Sequence, residues 1–410
     1  MSTDELPSGP AHPTQPALKI HIHPASGRSY HATRALPSEY TLLAAQSPYA
    51  YTIWKPFRNE VCAECWKYDQ GNRGFLKRRD DEGLFEGNDN TSILEQGAKG
   101  NGKGKAQVGA GLWFCNAECQ ASWLTREGHS MVALLRTLES ARRVSKGNTT
   151  GQVSSKPDDA TVLTKETAEQ AWDTVRQEER SPKTLRRWRE ISLDDFETDV
   201  ARYVLLALAH LAREYATSMA SFRPHQLDRA NNGVPAASQG DSDWDTFASL
   251  QSNELQHLRT YPELLENHIR IYKALKSRFT PSAPSDSSLI TIENVRTALG
   301  VDPGNSFGIW EVPIMEESEC LGFAVYPRLS FFNHDCAPNA RKERDGRALR
   351  FVTTREVAEG DELCISYGHV DGMAWRERRK ELSDGWFFDC ACGRCVADMA
   401  AEMETQQLSE

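Results

Sequence analysis

The spacing of apolar positions changes character along this chain. From Ala17 to Tyr51 the stretches LKIHIH and EYTLLAA read as short strands, with a turn at ASGRS between them. Between Leu193 and Ala216 the apolar positions Val200, Val204, Leu208 and Leu211 recur at helical spacing. A second long helical pattern runs from about Trp244 to Phe279, interrupted by Pro262, which suits a first helical position or a kink. The stretch SDSSLITIENVRTALG predicts a third helix, capped near Ser287 or Thr291. After Gly304 short strands return in FGIWEV, CLGFAVY, ALRFVTT and ELCISY.

Polar stretches punctuate this pattern. Residues 1–16 are rich in Pro, Ser and Thr and are expected to be disordered. The stretch from about 71 to 111, which includes GAKGNGKGKAQVGAG, reads as a flexible loop, followed by a short helix near Ala117 to Gly128. Residues 146–159 and the segment HQLDRANNGVPAASQGDSD read as further linkers. No repeat of fixed period is present. The order predicts an α+β chain: one β-domain of short strands carrying two insertions.

Composition adds little to this outline. Hydrophobic residues make up 39% of the chain, while the mean hydropathy is -0.58, as expected for folded blocks separated by polar segments. No apolar run approaches the length of a bilayer span, and the start MSTDELPSGP has neither a basic head nor an apolar core. The expectation is a soluble intracellular protein of nucleus or cytoplasm with no membrane partner. A net charge of -10 argues against general binding to nucleic acid and would suit a basic partner.

The ten cysteines change the picture more. Cys62 stands with Cys65, Cys115 with Cys119, and Cys390 with Cys392 and Cys395, while Cys320, Cys336 and Cys364 stand apart. Without a secretion signal, such short spacings point to metal ligands before disulfides. Cys390, Cys392 and Cys395 supply three thiolates, and structural zinc wants four ligands; Cys336, in SFFNHDCAPN, is the natural fourth. The competing reading makes Cys336 a small buried apolar residue and the triplet a redox site.

GFAVYPRLSFFNHDCAPNA, then VAEGDELCISYG, then WFFDCACGRC, closely resembles the SET domain of protein lysine methyltransferases, and more narrowly the SET-and-MYND family. The family pattern N-H-x-C-x-P-N, G-E-x-L-x-I-x-Y and a cysteine tail occurs in order, with Asp361 in place of the glutamate. The resemblance implies a SET β-fold split by a zinc finger and a helical insertion, with a zinc-binding post-SET tail. It implies the activity of an S-adenosylmethionine-dependent protein-lysine methyltransferase. Carried over by motif, Asn333, His334, Ser330 and Asn305 would contact the cofactor, and Phe388 would pack on its adenine. Tyr367 matches the catalytic tyrosine, and Trp386 stands beside the lysine channel where many relatives have tyrosine. Gly27 and Arg28 fall in the loop that wraps the methionine part of the cofactor, where Ser29 replaces a second glycine.

Cys62, Cys65, Cys115 and Cys119 resemble half of a MYND finger, with Phe114 and A-E-C-Q also matching. The third and fourth family ligands are absent; His129 fits the seventh position, but Ala133 occupies the eighth. One zinc site of four cysteines is therefore expected in the finger and a second in the tail, giving two structural zinc ions; unpaired thiols without metal are the competing reading. His129, His21 and His23 are expected at the surface without metal, the clusters LRRWR and RERRK on solvated helix faces, and Cys320 and Cys364 packed in strands.

The resulting division is 17–60 for the N-terminal SET part, 61–135 for the finger, 136–303 for linker and helical insertion, 304–369 for the SET core, 370–400 for the post-SET segment and 401–410 for a tail. The resemblance is to a short form without the helical C-terminal domain, with a substrate groove more open on one side. The expected partner is a protein, histone or not, with an exposed lysine. A catalytically inactive module whose finger binds proline-rich peptides is the alternative.

Overall fold

The computed structural model describes residues 16–23, 27–72, 78–80, 109–142, 163–221, 243–279, 289–315, 317–368 and 370–409. Residues 1–15, most of the loop at 71–111, the linker 146–159, the stretch 225–242 and Ser287 lie outside them. In chain order the strands are β1 (Leu18–His23), β2 (Gly27–Ala32), β3 (Thr41–Ala45), β4 (Ala50–Ile53), β5 (Arg78–Arg79), β6 (Trp113–Phe114), β7 (Ser306–Trp310), β8 (Cys320–Val325), β9 (Asn333–His334), β10 (Ala340–Asp345), β11 (Ala348–Thr353) and β12 (Cys364–Ile365). The helices are α1 (Ala117–Glu139), α2 (Lys165–Glu179), α3 (Pro182–Trp188), α4 (Asp195–Ser221), α5 (Asp243–Ala248), α6 (Glu254–Thr260), α7 (Leu264–Phe279), α8 (Ile292–Asn305), α9 (Trp375–Trp386) and α10 (Gly393–Ser409). Among the described residues no helix is long and apolar enough to cross a membrane.

The chain divides into two compact units, Met1–Gln46 with Leu329–Glu410, and Ser47–Arg328. The stretch 304–369, expected as one SET core, is thereby shared between them.

In the first unit β1 and β2 form an antiparallel hairpin in register from Leu18↔Ala32 to His23↔Gly27. A three-stranded antiparallel sheet runs β10-β11-β3, and β9 pairs in parallel with β12 over only two residues, Asn333↔Cys364 and His334↔Ile365. The core is aromatic: the Phe332 ring lies 4.7 Å from Tyr30 and 4.7 Å from Phe351. Such ring pairs contribute beyond their buried area and fix the backbone entering β9.

In the second unit β4, β8 and β7 form an antiparallel sheet with β8 central. Helix α4 packs along β4 through the stripe read from sequence: Val200, Val204, Leu208 and Leu211 are 6, 0, 4 and 3% exposed. Pro262 lies between α6 and α7, so the pattern over 244–279 resolves into three helices instead of one. Helix α1 breaks at Gly128, where φ is 81°, a left-handed value that glycine adopts without strain. Thr291 caps α8, its side chain accepting from the Asn294 N–H. Helices α2 and α3 were not apparent in the sequence, because their buried residues are few: Ala168, Trp172 and Val175 in α2 and Trp188 in α3.

Candidate functional site

Of the residues expected to act, Asn333, His334, Tyr367, Trp386 and Phe388 cluster in the first unit where β9 meets β12. β9 brings Asn333 and His334 beside the strand leading to Tyr367, and the Asp335 N–H donates to Ile365 O at 3.0 Å. Two-residue pairing is too short to hold itself, and side chains brace it. The second asparagine of the motif, Asn339, is 8% exposed. Its Nδ2 donates to Glu362 O at 2.8 Å and its Oδ1 accepts from Cys364 N at 2.9 Å. Asn333 Nδ2 donates to Glu362 Oε1 at 2.9 Å.

His334 links three parts of the cluster. Its Nδ1 accepts from the Tyr367 backbone N–H at 3.1 Å, and its Nε2 lies 3.2 Å from Cys336 Sγ. Burial pulls its pKa down to about 4, so the ring is neutral at physiological pH. With Nδ1 accepting, the ring proton belongs on Nε2, which donates to the sulfur.

Tyr367 is held from the other side. Its hydroxyl donates to Phe332 O at 2.9 Å. Burial, and then the negative potential of Cys364 and Glu362, raises its pKa above the usual phenol value, so the group stays protonated. Around it stand His334 at 5.5 Å, Trp386 at 5.8 Å and Phe388 at 6.1 Å between ring centroids, the last edge-on. Trp386 ends α9, and Phe387 turns the chain in a left-handed conformation with φ 62°, sending Phe388 toward the cluster and Cys390 beneath it. A methyl at Gly368 would lie in ordinary contact with the Trp386 ring, 3.4 Å away.

Of the other predicted residues, Ser330 sits in a 3-10 turn at Leu329–Phe331, just before β9. Gly27 opens β2 with φ 72°, and the Arg28 guanidinium lies over the Phe331 ring at 4.3 Å. Ser29 is 2% exposed, its Oγ within 3.1 Å of His31 Nε2, so its side chain is turned inward. Asn305 belongs to the second unit, where its Nδ2 donates to Gln251 O and Val301 O, each at 2.8 Å. His129 is exposed. The His21 ring stacks 4.4 Å from His31.

The cysteines form two groups. In the first unit Cys336, Cys390, Cys392 and Cys395 present sulfurs all within 4.8 Å of one another. Cys336 Sγ lies 3.8 Å from Cys390 Sγ and 3.5 Å from Cys395 Sγ. In the second unit Cys62, Cys65, Cys115 and Cys119 do the same, with Cys65 to Cys115 at 3.8 Å and Cys115 to Cys119 at 3.4 Å. Four thiolates about 2.3 Å from one ion span tetrahedron edges of about 3.8 Å, so both groups fit a tetrahedral zinc ion.

Arg378 was missed in the sequence. It lies in RERRK, expected on a solvated face, yet is 1% exposed. It donates to Asp398 Oδ2 at 2.6 Å, Met373 O at 2.7 Å and Cys395 Sγ at 3.6 Å. Within that cluster it is this position of α9 that turns inward; helical periodicity shows such a face only when it is apolar.

A family model described as SET domain matches residues 138–368, more than half of the chain. A potential protein lysine methyltransferase of Saccharomyces cerevisiae, SET6, is 25% identical over 405 residues, 95% of this chain and 98% of that protein. A SET and MYND domain-containing protein of Dictyostelium discoideum is 42% identical over 94 residues, 23% of each chain. The mouse histone-lysine N-methyltransferase SMYD3 is 38% identical over 102 residues, 25% of this chain and 23% of that protein.

Proposed function

The chain belongs to the SET domain family, and from that premise we propose that it methylates lysine side chains of other proteins with S-adenosylmethionine, using Tyr367 at the acceptor amine. What carries the reading is the convergence of Tyr367, His334, Trp386 and Phe388 above one cysteine group. The resemblance to SET-and-MYND proteins narrows it to that branch, with Cys62, Cys65, Cys115 and Cys119 as a MYND-like finger and Cys336, Cys390, Cys392 and Cys395 as a post-SET tail.

S-adenosylmethionine, when bound, supplies an electrophilic methyl on a positive sulfur. The rest falls to this chain. An in-line displacement needs a neutral amine held behind that methyl, yet a free lysine has a pKa of about 10.4 and is nearly all ammonium at neutral pH. The ring walls of Trp386 and Tyr367 remove water from the amine and disfavour its charged form. The Tyr367 O–H is committed to Phe332 O, which leaves its oxygen lone pairs to accept an amine N–H and orient the nitrogen. Because burial holds that phenol protonated, Tyr367 positions the amine and does not take its proton; the proton leaves to solvent. Asn333, His334, Ser330, Gly27, Arg28 and Phe388, all of the first unit, hold the cofactor. Each cysteine group would hold one structural zinc, and in the tail Cys336 with Cys390, Cys392 and Cys395 would thereby join the segment bearing Asn333 to the one bearing Phe388.

The test is calorimetric titration of zinc-replete protein with S-adenosylmethionine, followed by methyl transfer to a lysine-containing protein mixture. Asn333→Ala is expected to abolish cofactor binding. Tyr367→Phe keeps binding within a few-fold but lowers transfer by about 100-fold or more, the scale of losing one oriented polar group at a reacting centre. Folded, metal-loaded protein that binds no cofactor would overturn the reading in favour of an interaction module.

A further inference from the structure

The second unit holds a cavity of about 370 Å³ that methyl transfer as described leaves without a role. Its size falls within the range of small-ligand sites. Four aromatic side chains line it: Trp54, Phe196, Tyr203 and Tyr261. Two are fixed from behind, since Trp54 and Tyr203 pack on Phe323 at 5.3 and 5.0 Å between centroids, and the Tyr203 hydroxyl donates to Ala298 O at 3.2 Å. The other two are left in water: Phe196 is 44% exposed and Tyr261 49%. Burying apolar rings is favourable, so two large rings at one cavity left half in solvent signal a surface awaiting a ligand.

The charge of the lining selects the ligand. Asp302 and Glu263 both line the cavity, and no lysine or arginine is among the lining residues. Burial pushes the Asp302 pKa up to about 6, against a lowering hydrogen bond from Ser306, and a cation beside it would favour the ionised form. His268, also in the lining, is 6% exposed, and its Nδ1 has no hydrogen-bond partner among the described residues. A buried polar atom left unpaired is unfavourable by about 1–3 kcal/mol, and a polar ligand that reaches it relieves this. Ring faces attract cations through their quadrupole, and nearby carboxylates add direct attraction.

We propose that this cavity is a recognition site for an organic ammonium group, the side chain of lysine or of its methylated forms in a partner protein, taken against the rings of Tyr261, Phe196 and Trp54, with the buried Tyr203 backing them, and neutralised by Asp302 and Glu263. The site is built from second-unit residues alone and does not rest on the methyl-transfer reading.

The experiment titrates the full zinc-loaded chain, without S-adenosylmethionine, with three capped amino acids: lysine, Nε-trimethyl-lysine and the neutral Nε-acetyl-lysine. Saturable binding of the two cations is expected, with acetyl-lysine at least tenfold weaker. Tyr261→Ala and Glu263→Gln, both at solvent-exposed side chains, are expected to weaken cation binding about tenfold each, about 1.4 kcal/mol, with unchanged melting temperature. Asp302→Asn does so more strongly. Absence of saturable binding by folded wild type overturns the proposal, as does equal affinity for acetyl-lysine. Binding lost in Tyr367→Phe and kept in the cavity variants overturns it too, by assigning the cation to the cluster around Tyr367.

Discussion

The two cysteine groups share one local design and differ in what surrounds it. In each, a pair of ligands straddles a helix start: Cys115 and Cys119 at α1, Cys392 and Cys395 at α10. The positive end of a helix suits the net negative charge of a metal bound by four thiolates. At α1 the cap is explicit, with Asn116 Oδ1 accepting from Cys119 N at 2.8 Å and the Cys115 N–H donating to Cys62 Sγ at 3.4 Å. The tail group adds a buried guanidinium, Arg378 on Cys395, and an imidazole, His334 on Cys336. It is also the more enclosed: Cys336, Cys390 and Cys395 are buried, against Cys62 alone in the other group. Deeper burial of a negative cluster demands stronger compensation, because solvent no longer supplies it. Through His334 that compensation also reaches the backbone of Tyr367. The lesson is that two four-cysteine groups of identical ligand chemistry are unequal: one is braced by a helix cap in the second unit, the other is joined through His334 to Tyr367.

That contrast can be broken most decisively at the ligands. Cys395→Ser is expected to lower the zinc content from two ions to one and to reduce methyl transfer by about 100-fold or more, while Cys65→Ala removes one zinc but keeps transfer within about tenfold. Atomic emission with a radiometric transfer assay on both variants checks this, and equal losses would dissolve the distinction. Next in size is Arg378→Met, which leaves the tail cluster short of its buried cation. It is expected to weaken the tail zinc by about 10–100-fold with the finger zinc unaffected, read by competition with a chromogenic chelator. Simultaneous release of both ions would show that the arginine serves general stability. The smallest effect lies on the finger side: Asn116→Ala removes the α1 cap, weakens that helix start by about 1 kcal/mol and loosens the finger zinc a few-fold. Methyl-transfer rates should not move.

The sequence was most informative where chemistry is written in short motifs. N-H-x-C-x-P-N, the ELCISYG strand and the C-x-C-x-x-C tail each announce residues that come together around Tyr367, and the Cys336 link across more than fifty residues followed from counting zinc ligands. Helix α4 was legible because its buried stripe is continuous and apolar. Regions shaped by tertiary context were not. Strands β9 and β12 are two residues each, too short for any periodicity, and exist because Asn339 pins them. Helix α9 hides its inward face behind a charged residue, so RERRK reads as solvated. The interrupted pattern over 244–279 showed helical spacing, but one Pro262 could not reveal three separate axes. The cavity with Asp302 and His268 draws its lining from residues 54 to 302, and no local pattern could announce it.

The placement of the tail ligands has a consequence for biosynthesis. The chain is made from its N-terminus, so Asn333, His334 and Tyr367 leave the ribosome before Cys390, Cys392 and Cys395 exist outside it. Until those cysteines emerge, Cys336 has no partners and the segment carrying Trp386 and Phe388 cannot close. Domains fold during synthesis as their last required contacts appear, and here closure of the cluster waits on Cys390, Cys392 and Cys395 and on the partners that follow them, Asp398 and Glu402. Zinc supply at that moment would act as a checkpoint on maturation: a chain that meets zinc closes the cluster, and one that does not presents exposed thiols and aromatic rings to the quality-control machinery.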